Sequence, residues 1–459
     1  MAETISRKMA RFALDLKYED LPEEVITEVK RYLLDSIGCA FGGYQTRDVN
    51  IVNQIYCQMN GTPEATVIGT GSRIPAANAT FVNSLMVRAL DYNDIYWKED
   101  PSHPSDLIPA ALAMGERQAL HPKDVITAIV LAYEFEQRLC EFGKPGIRER
   151  KWHHATITQF VSPIVAGKLL GLTEDQMVNA IGISGMHNFS PGAAAAGQLT
   201  MMKNTVDPMA VQSGVIAALM AQKGYSGTEA IFEGKEGFMD VMGDGWDENV
   251  LWDGLGERFK ILECSMKAFP TEALTHSHIT AAIKVVKDND IQPEDIEEIT
   301  VTTIARAVDI LFDEEKYKPE SRETADHSLP YCIAAAVVDR KITPEQFNEE
   351  RIKDPKIQTV LPKIKGEASE EFERMFPEKQ PSKVKITTKD GSEYSASVDY
   401  PKGDPREPMT TDEIIVKFKA LADKMFIPDR QDEIIERILD FENEDTMQHF
   451  MQNLVASHL

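Results

Sequence analysis

The sequence predicts a mainly α protein, a large all-helical domain with a smaller α+β domain inserted near its C-terminal end. Three observations carry this prediction. Apolar residues at helical spacing fill most of the first 265 positions, β-branched alternation appears only later, and helical spacing returns at the end of the chain. The expected boundaries are 1–265 plus 406–459 for the helical domain and 266–405 for the α+β one. A chain of 459 residues exceeds what one hydrophobic core usually serves, in keeping with two units.

The stretch "EDLPEEVITEVKRYLLDSIGCAFGG" opens with Asp20 as an N-cap and Pro22 in the first turn. It sets Val25, Val29, Leu33 and Ile37 on one stripe and stops at Gly42-Gly43. Similar spacing recurs in "PAANATFVNSLMVRALDY", "HPKDVITAIVLAYEFEQRL" and "ITQFVSPIVAGKLLG", and Thr173 stands three residues before Gln176 as a capping box does. Small residues are frequent, so close helix packing is expected. A Gly/Ala-rich stretch, "NFSPGAAAAGQLT", leads into an apolar helix expected from about Asp207 to Lys223. Two readings fit that stretch equally: a flexible segment beside a site, or a tight loop letting helices approach. After Cys264, "IEEITVTTIARAVDIL" and "SKVKITTKDGSEYSASVDYP" alternate around an Asp390-Gly391 turn, a hairpin signal. "TTDEIIVKFKALADKM" and "RQDEIIERILDF" are helical again.

Composition narrows the function. A formal charge of -25 opposes non-specific nucleic-acid binding, so no nucleic-acid partner is expected. It also repels small anions at a distance, so a site for a carboxylate must carry its own Lys, Arg or His. The five cysteines form no C-x-x-C pair, which disfavours a zinc ribbon, a redox motif or an iron–sulfur signature and fits reduced cytoplasmic thiols. No apolar run is long enough to span a bilayer, and no leader-like h-region opens the chain. Neither a membrane partner nor a metal or other cofactor is expected. Dinucleotide, Walker, serine-hydrolase and zinc-protease motifs are absent from the sequence.

Titratable groups concentrate in a few places. "LDYNDIYWKEDPSHPSD" holds Asp91 and His103, "MMKNTVDP" holds Lys203, and "ECSMKAFPTEALTHSH" holds Lys267, Glu272, His276 and His278. A weaker cluster, "TADHSLPYC", holds His327 and Tyr331. Each has a plain structural reading. His103-Pro104 can start a capped helix, the lysines can lie on the surface, and His153-His154 can be one core and one exposed histidine. No i, i+4 histidine pair marks a metal site.

Taken in order, "LLDSIGCAFGG", "ALDYNDIYW…HPSD", "GKLLGLTEDQMVNAIGISG", "MMKNTVDPMAVQSGVIAALMAQKGYSG…FEGKEGF" and "KAFPTEALTHSHITAA" resemble the MmgE/PrpD family over nearly the whole chain. That family includes 2-methylcitrate dehydratase, cis-aconitate decarboxylase and iminodisuccinate epimerase. The resemblance implies a helical domain, an α+β lid domain, a homodimer, and a cofactor-free site in the cleft between domains. The implied chemistry is proton abstraction next to a carboxylate of a small polycarboxylate, followed by loss of water, loss of carbon dioxide or reprotonation.

Carried over residue by residue, the resemblance makes Asp91, His103, Lys203 and Lys267 the catalytic set. It makes Ile95, His154, Glu272 and Tyr331 substrate-binding residues. His103 is the leading acid/base group, Asp91 orients it or shares in proton transfer, and the lysines clamp carboxylates. Asp94, Asp100 and Asp106 are expected to be capping or surface residues. Glu272 follows "KAFPT" as in the methylcitrate dehydratases, where the decarboxylases have histidine. Ile95 departs from the family's usual threonine, and so points away from methylcitrate. The sequence therefore predicts a hydro-lyase on a small di- or tricarboxylate, with an epimerase or decarboxylase as the alternative and a non-catalytic carboxylate-binding homologue as a third reading.

Overall fold

The structure, a computed structural model, describes residues 3–59, 61–187, 189–196 and 199–456. Asn188, Gly197 and Gln198 of the Gly/Ala-rich stretch lie outside the described residues. Two hydrophobic cores organise the chain. The first gathers residues from Ile5 to Met266 together with Met409 to Leu454, and the second gathers Leu274 to Ile386.

The first core is built from helices, chiefly α1 (Glu23–Gly43), α2 (Ala76–Arg88), α3 (Pro122–Glu141), α4 (Ala155–Leu169) and α5 (Met202–Gln222). Val25, Val29, Leu33 and Ile37 of α1 are all buried, as their stripe predicts. Pro22, not Asp20, stands at the N-cap of α1, and Asp20 instead accepts the Lys17 amide at 2.9 Å. The Thr173–Gln176 capping box forms, with reciprocal bonds of 3.3 and 3.0 Å. Helix α5 starts at Met202 rather than near Asp207 and carries Pro208 inside it. Its first turn is already closed, because the Lys203 and Asn204 amides donate to the Thr200 and Met201 carbonyls at 3.0 and 3.1 Å. Proline then removes only one donor. Close packing of α5 on α4 depends on Gly214, where a Cβ would lie 1.8 Å from Ser162 Oγ.

The second core packs α6 (His276–Asp288) and α7 (Leu329–Asp339) with a four-stranded sheet. Its strands are β1 (Ile296–Thr303), β2 (Ile364–Ala368), β3 (Ser382–Thr388) and β4 (Glu393–Val398), in the order β2-β1-β3-β4. The β1–β2 pair is parallel and the other two are antiparallel. Ile299 faces Ile386 and Val301 faces Val384, which puts the apolar face of the pair against the core. The β3–β4 hairpin turns through Gly391 at φ 85°, as the Asp-Gly pair predicts. "ARAVDIL" turns out helical, Ala305–Leu311, where alternation had extended the strand reading.

Helix α8 (Thr411–Ala422) returns to α1 and brings Lys417 into the interior. Its Nζ lies 2.7 Å from Asp35 Oδ1 and donates to the carbonyls of Tyr92 at 2.6 Å and Lys267 at 2.9 Å. Lys417 thereby ties the segment after α2 to the segment joining the two cores. Replacing it with methionine leaves Asp35 buried without its partner, so Lys417→Met is expected to cost about 3–5 kcal/mol in urea unfolding, with partial recovery on adding Asp35→Asn.

Candidate functional site

The site forms where α2 ends. The Asp91 amide donates to the Arg88 carbonyl at 3.0 Å, and Asp91 takes φ 49°, a left-handed conformation that aspartate tolerates better than most residues. This turn folds its carboxylate back onto the Arg88 guanidinium, which contacts Oδ1. Lys267 arrives from the segment between the cores. Its Nζ sits 2.8 Å from Asp91 Oδ1 and also donates to the carbonyls of Asp91 at 3.1 Å and Thr271 at 2.9 Å. Lys203, in the first turn of α5, places Nζ 3.0 Å from Asp91 Oδ2. His327, from the second core, lies 3.8 Å from the same oxygen, with Nδ1 2.5 Å from Asp326 Oδ1.

Asp91, Lys203 and Lys267 are each 2% exposed, so neither lysine is a surface residue. Burial alone would raise the Asp91 pKa, but Lys203, Lys267 and Arg88 together hold it well below the usual carboxylate range. Burial lowers the pKa of Lys267, helped by Arg88 and Lys203 and opposed by Asp91.

His103 is set by a carbonyl. Its Nδ1 lies 2.6 Å from the Asp94 carbonyl oxygen, which can only accept, so Nδ1 carries the hydrogen and Nε2 keeps its lone pair. Burial, then Arg88, Lys267 and His154, push its pKa well below the usual histidine value. The ring is therefore a neutral imidazole. Asp91 does not orient it, contrary to one of the two roles expected for that residue. The His154 ring centroid stands 5.3 Å from that of His103 and 4.0 Å from that of His153. Both His153 and His154 are buried, not one of the two. His154 Nε2 faces Asp207 Oδ2 at 3.3 Å, just before α4 begins.

Three acids expected at caps or on the surface are interior. Asp94 accepts the Ser105 amide at 3.0 Å and its hydroxyl at 2.6 Å, and burial pushes its pKa up to about 6. Asp100 accepts the Ile147 and Arg148 amides at 2.8 Å each. Asp106 accepts from Asn93 at 3.1 Å and lies 3.7 Å from Arg88 Nε, and burial raises its pKa strongly.

The structure thus brings Asp91, His103, His154, Lys203 and Lys267 together, with Glu272 beside them. Glu272 Oε2 accepts the Leu274 amide at 2.7 Å, and burial pushes its pKa up to about 7 against the pull of Lys267. Tyr331 does not join them. Its ring is fully buried in the second core and its hydroxyl donates to the Gln346 carbonyl at 2.5 Å, so it has no hydrogen left for a substrate. Ile95 bridges Ser265 through its backbone and lines a separate cavity of about 230 Å³ with Trp97, Leu262 and Arg406. Arg88 and Asp207 were not anticipated. The one visible signal was a lone charged residue, an arginine, closing the otherwise uncharged helix "ANATFVNSLMVR".

Two groups place donor atoms within 4.8 Å of one another, His153-His154-Asp207 and Asp91-Asp326-His327. Arg88 lies 3.9 Å from Asp207, and two lysines abut Asp91, so both groups already face cations that would repel a metal ion.

A helical body and an α+β unit whose junction buries lysines, an arginine, a neutral imidazole and carboxylates define a class of protein, one equipped for proton chemistry on a small anion. The chain belongs to the MmgE/PrpD family. Its N-terminal-domain family model matches residues 7–250, and its C-terminal-domain model matches residues 269–442. Among its relatives, cis-aconitate decarboxylases of Mus musculus and Homo sapiens are each 27% identical to it, covering 96% of this chain and 92% and 93% of their own lengths. A 2-methylcitrate dehydratase of Salmonella typhi is 25% identical, covering 93% of this chain and 92% of its own.

The raised pKa of Glu272 makes a prediction about stability. A folded-state value of about 7 against 4.5 for the free group means that the folded chain holds this proton longer than the unfolded one. Its carboxyl therefore favours folding least above pH 7. Glu272→Gln is expected to match wild type below about pH 4.5 and to gain stability as pH rises to 7, by up to about 3 kcal/mol, in unfolding followed across pH.

Proposed function

We propose that the protein is a lyase that removes water from a small hydroxylated di- or tricarboxylate by taking a proton from the carbon next to a carboxylate. The observation that carries this reading is His103. It is a neutral, buried imidazole with its Nδ1 hydrogen committed to the Asp94 carbonyl, leaving Nε2 as the proton acceptor. The electron pair left by the proton moves into the adjacent carboxylate, and Lys203, Lys267 and Arg88 stabilise the resulting aci-carboxylate in a site shielded from water. The pair then returns to form the double bond and expels the hydroxyl. Among these cations the His103 imidazolium is a strong acid, well suited to give its proton to the departing oxygen. Proton and hydroxyl leave together as water.

The dehydratase relatives support this reading, and the family resemblance places Glu272 on the dehydratase side. The decarboxylase relatives support the second reading, loss of carbon dioxide or epimerisation through the same carbanion. A homodimer fits the exposed Met202, Met209 and Ile216 along α5 and Tyr225 just beyond it. A cytoplasmic setting fits the cysteines, four of them buried and none paired among the described residues.

Incubation with 2-methylcitrate, citramalate, cis-aconitate and iminodisuccinate in deuterated water, followed by proton NMR, separates these readings. A vinyl signal without gas is the expected result; carbon dioxide release or deuterium uptake with a retained skeleton replaces the hydro-lyase with the decarboxylase or epimerase. In steady-state kinetics on whichever acid reacts, His103→Ala and Lys267→Ala should each lower kcat at least about a hundredfold, and a near-normal rate removes that residue from the mechanism.

A further inference from the structure

Asp207 is a buried acid, 1% exposed, on the α5 face that also presents Lys203. The two are four residues apart, so they rise from the same side of the helix one turn from each other. They flank the Arg88–Asp91 pair, with Lys203 Nζ 3.0 Å from Asp91 and Asp207 Oδ2 3.9 Å from Arg88 Nε. Asp207 Oδ2, Lys203 Nζ and His154 Nε2 have no well-directed hydrogen-bond partner among the described residues. Buried groups of this kind are costly unless something meets them. Here a cationic donor and an anionic acceptor rise one helical turn apart, each held by ion pairs, Lys203 with Asp91 and Asp207 with His154 and Arg88, and neither closed by a well-directed hydrogen bond.

We propose that Asp207 is a specificity-determining residue, which with Lys203 recognises a carboxylate whose neighbouring carbon carries a hydroxyl or amino group. The carboxylate lies on Lys203 and the O–H or N–H donates to Asp207 Oδ2. The inference rests on the reading of the site as one for small polycarboxylates and narrows it. Asp207 stays ionised: burial opposes its charge, but His154, His153 and Arg88 outweigh burial. An ionised acceptor rejects another carboxylate at this point and rewards a donor. Arg88 cannot cancel this selection, because the ionised Asp91 also lies against its guanidinium. A substrate with no hydrogen to donate beside its carboxylate leaves the buried Asp207 Oδ2 without a hydrogen-bond donor, which is the stronger source of discrimination.

Calorimetry of the full chain with malate, aspartate and succinate tests this, since the three share two carboxylates and differ in one donor. Malate or aspartate is expected to bind at least about tenfold more tightly than succinate, and which of the two does so tells hydroxyl from amine recognition. Asp207→Asn should abolish that preference while binding succinate at least as tightly as wild type, because a repelling charge is gone. Equal binding of all three acids by wild type, binding of none, or an Asp207→Asn variant that keeps the preference would overturn the proposal. The wild-type comparison stands even where the variant fails to fold. Because this readout is binding and not turnover, a negative result leaves the NMR test of water loss untouched, and absent turnover leaves the preference for malate or aspartate intact.

Discussion

The rest of the site depends on how Asp91 is held. A carboxylate this deeply buried is expensive, and it persists here because three cations, Arg88, Lys203 and Lys267, contact it. The cations in turn need it, since three positive groups within contact distance of one point would repel one another without a shared anion. Each arrives on a different part of the chain: the last turn of α2, the first turn of α5, and the segment joining the cores. The left-handed turn at Asp91 makes the meeting possible, because it sends the carboxylate back along the axis of the helix that it ends. Lys417 then fastens two of these carriers from behind through the carbonyls of Tyr92 and Lys267. The site is thus a knot of charge tied by backbone.

That arrangement resolves a conflict set by composition. A chain of net charge -25 repels anions, yet its site suits a polycarboxylate. Concentrating Arg88, Lys203 and Lys267 in a dry interior gives their charges a strength that the screened surface acids cannot match. Burial, with Arg88 and Lys267 adding to it, keeps His103 neutral, so in the proposed reaction the same interior supplies both the stabilisation of developing negative charge and an unprotonated imidazole. His103 sits apart from the carboxylate that the cations hold, which keeps the base free of an ion pair that would protonate it.

Much of the fold was legible from periodicity. The α1 stripe, the capping box at Thr173 and the Asp-Gly hairpin follow from local rules, and local rules suffice where an element's own residues decide its shape. They fail where a contact distant in sequence decides. Tyr331 is one such residue, its hydroxyl taken by the Gln346 carbonyl fifteen positions on, whereas the early start of α5 is a local effect, made by the Lys203 and Asn204 amides on the Thr200 and Met201 carbonyls. The site divides in the same way. The family motifs located Asp91, His103, Lys203 and Lys267, whereas Arg88 and Asp207 carry no motif and gain meaning only from what packs against them. Arginine at the end of an apolar helix reads as a snorkelling surface residue until Asp91 is seen folding back onto it.

The acids that surround His103 show why residue type alone misled. Asp91, Asp94, Asp100 and Asp106 look alike in sequence, a polar helix end with a proline turn. In the fold each meets a different partner, and the partner sets its state: cations for Asp91, the Ser105 hydroxyl and amide for Asp94, two backbone amides for Asp100, Asn93 and Arg88 for Asp106. Only the first meets all three cations; Asp106 touches the cluster through Arg88 alone. Asp94 nevertheless shapes the surroundings of His103 twice over. Its side chain pins Ser105, two residues from His103, and its carbonyl takes the Nδ1 hydrogen, which leaves the lone pair on Nε2. A residue that sequence reasoning assigned to a cap or the surface thus sets the tautomer of the His103 imidazole through its backbone carbonyl and holds the neighbouring Ser105 through its carboxylate.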